Sequence, residues 1–373
     1  MSQSPMAPSP GDPPNDVAPA PPPVLADLIL SAIEAADPAK IIAAPVKTGH
    51  AAAPNEPKTW VVDPRPNQGD FRTISAAIEA AAPGQRILVR PGRYREGLRL
   101  EKPLEIIGDG NRDDIVVEAA GRDAVYFNTD FGRVTNLTLR RAGDGPFYVV
   151  DIAEGCLELD GCDLSSRSLA CIAIHGHADP RIRRNRIHDG LSAGVLVYEH
   201  GQGNLEDNDI FGHALSGVEI KDGGHPVLRR NHIHDGRGAG VFVHQRGRGV
   251  LEDNEISGWA AAGVAVTGGG DPLLRRNRIH GGGQSGVLVF ERGKGAFEDN
   301  EIAGNAGTGI LVRTRGEPVV RRNKINYNSA FGILIWESSG GVYETNDLTG
   351  NEPGPWHVHD SSKSWIKLVG NLA

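Results

Sequence analysis

Tyr198, Lys221 and His244 stand 23 residues apart, with Glu219 and Asp222 beside the middle one. If that interval brings them into one line, they offer a base, an acid and a carboxylate neutraliser, the groups that proton abstraction from a uronate needs. The cluster holds one obvious basic candidate, and neither paired aspartates nor a run of calcium-binding carboxylates accompanies it. The same interval also lines up rings. Tyr198, His244, Phe290 and Trp336 recur every 46 residues, Leu196, Phe242, Leu288 and Leu334 stand two places before them, and Arg313 shares their column. An apolar and aromatic stripe on a strand face argues for a partner. The leading expectation is a non-catalytic binding scaffold that takes an extended protein segment or a glycan through this stripe. The alternative is a polysaccharide-active enzyme of the uronate lyase or epimerase type, working through Tyr198, Glu219, Lys221 and His244.

Thirteen histidines invite a metal reading. His188, His234 and His280 recur every 46 residues, two strand spacings or about 9.6 Å apart, too far to share an ion. His175 with His177, His232 with His234, and His357 with His359 supply two ligands each. No metal or cofactor is expected.

The elements that must position these residues can be derived from the interval itself. Asn185, Asn208, Asn231, Asn254, Asn277, Asn300, Asn323 and Asn346 keep it without a break. Each unit is short apolar alternation separated by Gly, Asn and Pro, with nothing long enough for a helix. A unit of this size cannot bury its own apolar face and must stack on its neighbours. The expected fold is an all-β solenoid, a single-stranded right-handed parallel β-helix of about 11–12 coils. Columns 23 residues apart then become ladders about 4.8 Å in step. The Val195, Val197 and Ile182 columns must face inward. The residues before each Asn alternate Arg183, Glu206, Arg229, Glu252, so that each charge meets its opposite above and below.

Residues 1–57 read as a Pro/Ala-rich leader whose amphipathic segment 24–36 is a candidate docking helix for a second protein. Residues 58–373 form the solenoid, with a capping helix within 71–82 and a second cap over 353–373. A net charge of −8 lacks the positive field that nucleic acid requires, and no apolar run suits a membrane or a secretory signal. Three cysteines without a CxxC pair read as reduced residues in a cytoplasmic protein.

Two resemblances carry further expectations. The stretch DFRTISAAIEAAAPGQRILVRPGRYREGLRLEKPLEIIGDG resembles the entry segment of pectin-methylesterase-type β-helices and implies fold only. Units such as NHIHDGRGAGVFVHQRGRGVLEDNEIS are similar to the carbohydrate-binding-and-sugar-hydrolase repeat, and more specifically to the β-helix of F-box-only ubiquitin-ligase adaptors. That second resemblance implies a receptor without chemistry of its own. No F-box is recognisable in the leader, and the Asp-Pro-His-Asp motif of alginate epimerases is missing.

Overall fold

The computed structural model describes residues 58–373. The candidate docking helix at 24–36 lies outside the described residues. Within them, parallel strands stack into three ladders. The first face holds fourteen strands, from Thr59–Val62 to Ile366–Val369. The second holds eleven, from Gly92–Tyr94 to Lys324–Asn326. The third carries Val195–Val197, Val218–Ile220, Val241–Val243 and their equivalents. The coil number is therefore about 14 rather than 11–12. The 23-residue step holds back to Glu158 on the first face and Ile172 on the third and fails only in earlier coils, but the winding does not: strands Val125–Thr135 and Val150–Asp160, 11 residues each, run unbroken from the third face onto the first.

The inward columns close the core. Val195, Val197, Leu205, Ile210 and their equivalents through Ile333, Ile335, Tyr343 and Leu348 are 0% exposed. The charge columns pair as expected: Arg229 lies 3.9 Å from Glu206 and 3.0 Å from Glu252, in the coils before and after it. At the bend between the first and second faces, Arg184, Asp207, Arg230 and Asp253 take left-handed backbone (φ 53°, 55°, 51° and 56°), a conformation that disfavours L side chains. The next residue, an asparagine, offsets this. Asn231, for example, donates its amide to Leu205 O at 2.9 Å and to Asn254 Oδ1 at 3.0 Å. That same Oδ1 accepts the Asn231 backbone N–H at 3.0 Å, so the buried bend satisfies its own polar groups.

A second buried ladder runs through the turn between the second and third faces and was not legible as a repeat. His213, Trp259, Asn305, Asn328 and Asn351 each donate a side-chain N–H to the carbonyl 26 residues earlier. Different residue types perform one bond. Gly236 makes room for the largest of them, since a Cβ there would sit 1.9 Å from Trp259 Cζ3.

A seven-residue helix, Ile74–Ala80, buries Ile74, Ala77 and Ile78, and the Glu96 carboxylate accepts its first amides at 2.9 and 2.8 Å. It packs beside the first strands, and these contacts do not establish the expected cap. At the other end, Trp356–Val358 and Ile366–Val369 continue the third and first ladders, leaving Trp365 and Leu368 exposed.

Candidate functional site

Side chains on the third face are fixed by the turns at the strand ends. Tyr198, Lys221 and His244 each directly follow a strand and precede two left-handed residues: Glu199 and His200, Asp222 and Gly223, Gln245 and Arg246. The chain leaves the face abruptly there, and the three side chains stand outward in successive coils. Glu219 pairs in register with Leu196 below and Phe242 above, which places its carboxylate among them. Its Oε1 bonds His244 Nε2 at 3.0 Å and lies 3.8 Å from Lys221 Nζ. The bond to His244 holds the Glu219 carboxyl below its usual range, against the opposing effect of burial. Lys221 in turn sits 6.0 Å from the Tyr198 ring centroid. All four side chains are half-buried, so a substrate laid on the face would meet partly desolvated charges.

The line extends one coil further than the sequence reading reached. His175 stacks on Tyr198 with ring centroids 4.9 Å apart, and its Nε2 bonds Asp151 Oδ1 at 2.9 Å. That bond raises the His175 pKa above the ordinary imidazole value. Burial raises the Tyr198 pKa and keeps its hydroxyl protonated. Burial also raises Asp123, whose Oδ1 accepts the Tyr148 N–H at 2.7 Å. Asp123, Asp151, Tyr126, Arg99 and Arg122 line a cavity of about 480 Å³ at this end of the cluster. Asp151 was missed because its coil is offset from the next by 22 residues rather than 23, and His175 was read only as half of a His-x-His pair with His177. The one available signal was that His175 stands 23 before Tyr198.

A larger concavity of about 630 Å³ opens on the second face, beside Arg140, Asp163, Arg186 and His188. Asp163 already accepts from Arg140, Arg186 and His188, so its carboxylate is spent on ion pairs.

The remaining stripe residues divide. Phe242 stacks on His244 at 4.3 Å, as part of the Glu219, Lys221 and His244 cluster. Leu288 and Phe290 are half-buried, and Arg313 lies over the Phe290 ring at 5.5 Å. Leu334 is half-buried and Trp336 is 42% exposed, stacked on His357 at 5.7 Å. The face is thus polar and hydrogen-bonded from Asp151 to His244, and beyond Thr267 its column carries the rings Phe290 and Trp336 with Arg313 between them.

The family profile described as "Right handed beta helix region" matches residues 123–257 and 237–372. No curated protein sequence matches the chain. Among solved structures, the chain is similar to the A-module of a mannuronan C-5 epimerase from Azotobacter vinelandii, with a TM-score of 0.60 and 17% identity over 80% of this chain and 92% of that one. It is similar to a periplasmic alginate epimerase, with a TM-score of 0.56 and 13% identity over 77% of this chain and 76% of that one. It is also similar to the catalytic unit of an α-1,3-glucanase from Streptomyces thermodiastaticus, with a TM-score of 0.56 and 12% identity over 80% of this chain and 65% of that one. These findings correct two expectations. The likeness to F-box-only adaptors is not shown. The non-catalytic scaffold is overturned: the similar structures are named as polysaccharide-active enzymes, and the rings Tyr198 and Phe242 are packed into a charged cluster rather than bared for a partner. Neither the protein-binding role nor the cytoplasmic location finds support; the described residues contain no helix long and apolar enough to cross a membrane.

Proposed function

The chain belongs to the right-handed β-helix family, and on that footing we propose that it is a polysaccharide-active enzyme of the uronate lyase or epimerase type. One observation carries the reading: Glu219 joins His244 and Lys221 within a single half-buried cluster that reaches Tyr198. A uronate lying along the third face would set its carboxylate against Lys221, with Arg99 or Arg122 serving a neighbouring unit. Neutralising that carboxylate makes the C5 proton removable. His244, oriented by Glu219, takes the proton. In elimination, the C5–H electrons form the C4–C5 double bond, the C4–O bond breaks, and the departing oxygen receives the Tyr198 proton. In epimerisation no bond to O4 breaks, and a proton returns to C5 from the opposite face. The similarity to mannuronan and alginate epimerases supports this class of substrate.

The test is incubation with mannuronan, alginate and polygalacturonate in D₂O. Ultraviolet absorbance of an unsaturated product reports elimination, and deuterium at C5 reports epimerisation. Neither signal with any uronate polymer, or activity that survives Lys221→Ala, sinks the reading.

A further inference from the structure

The second face carries a motif that recurs every 46 residues. In three places a carboxylate bonds two side chains of the next coil: Asp163 with Arg186 (3.0 Å) and His188 (3.1 Å), Glu255 with Arg278 (2.9 Å) and His280 (3.0 Å), and between them Asp209 with His232 (3.2 Å) and His234 (3.0 Å). The middle instance differs by one residue. Where its neighbours place an arginine, it places His232. A guanidinium is always protonated and ligates no cation, whereas an imidazole that loses its proton gains a ligand lone pair.

We propose that Asp209, His232 and His234 form a binding site for a first-row divalent ion of the zinc type. The three ligand atoms lie within 4.8 Å of one another. Asp209 Oδ1 lies 3.2 Å from His232 Nδ1 and 3.0 Å from His234 Nε2, close to the roughly 3.3 Å edge of a tetrahedron built on zinc–nitrogen bonds, and the two imidazoles, stacked at 3.9 Å, would turn about their side-chain torsions to aim both nitrogens at one ion. A second layer is in place too: His234 Nδ1 bonds Asp235 Oδ2 at 2.8 Å, which turns Nε2 toward the site. Asp209 and His232 are 40% and 48% exposed, so an ion can enter and keep a water in the remaining position. The histidine pair alone supplies two ligands, and the third comes from the preceding coil, a neighbour that the sequence pattern did not single out. The ion would clamp two coils on a face that does not carry Tyr198, Lys221 and His244, so the site stands apart from the proposed reaction.

Isothermal titration of the chelator-treated chain, free of tag histidines, with Zn²⁺ should give one ion per chain and a rise in melting temperature. Co²⁺ should give the intense visible bands of a four- or five-coordinate ion, and Ca²⁺ should give neither signal. The variant His232→Arg copies the adjoining coils and so keeps the fold; it should abolish all three responses. Absence of stoichiometric zinc binding, equal binding by Ca²⁺, or undiminished binding in His232→Arg would overturn the site.

Discussion

Glu219 Oε1 bonds His244 Nε2 at 3.0 Å across one coil step, and the same oxygen stands 3.8 Å from Lys221 Nζ. One carboxylate thus contacts both an imidazole and an ammonium, the two groups that the proposed reaction uses as base and as neutraliser. Glu219→Gln keeps the size and loses the charge. Turnover on the uronate polymer that proves to be the substrate is expected to fall about 100-fold, with KM changed far less and the melting curve at neutral pH nearly unaltered. A purely structural role would instead lower the melting temperature together with activity.

Asp151 Oδ1 bonds His175 Nε2 at 2.9 Å. Its bond raises the His175 pKa, so the pair's contribution to stability is complete below the unfolded value of about 6.5 and is lost as pH rises through the folded value. In Asp151→Asn the His175 resonances, followed by NMR, should titrate at lower pH than in the parent chain. An unchanged titration would remove Asp151 from the site.

His213 titrates in the opposite sense. It is 0% exposed, donating from Nε2 to Ile187 O at 3.0 Å and accepting the Gly190 N–H on Nδ1 at 3.2 Å, and burial lowers its pKa to about 4. A histidine buried neutral contributes stability above about 6.5, and that contribution drains away as pH falls toward about 4. Asparagine can make both bonds, as Asn305 does with Ile279 O and the Gly282 N–H. His213→Asn should therefore fold and lose part of the parent's destabilisation between those pH values, measured by denaturant melts at pH 7 and pH 4.5.

Gly236 and Trp259 are coupled by space alone. A Cβ at Gly236 meets the buried indole at 1.9 Å, so Gly236→Ala should destabilise by roughly 1–3 kcal/mol. Combined with Trp259→Leu, the alanine should cost far less, a non-additivity that a double-mutant cycle measures. Additive losses would place the strain elsewhere.

The sequence determined the winding, because a parallel ladder sets equivalent residues one above another and a 23-residue period becomes a chemical column. That rule placed Val195 and Leu205 inside, Arg229 between Glu206 and Glu252, and Tyr198, Lys221 and His244 on one outward line. It miscounted the coils because Val125–Thr135 and Val150–Asp160 turn the corner within one strand and their register mates stand 25 and 22 residues apart instead of 23. The same irregularity hid Asp151, which reaches His175 from an 11-residue strand. Tertiary structure also decided what a column can do. Side chains in adjacent coils lie within hydrogen-bonding reach, so a glutamate on one strand is committed to a histidine two residues past its register mate. A pattern of letters does not record which way a carboxylate leans, and that lean joined Glu219, Lys221 and His244 into one cluster within a stripe of rings.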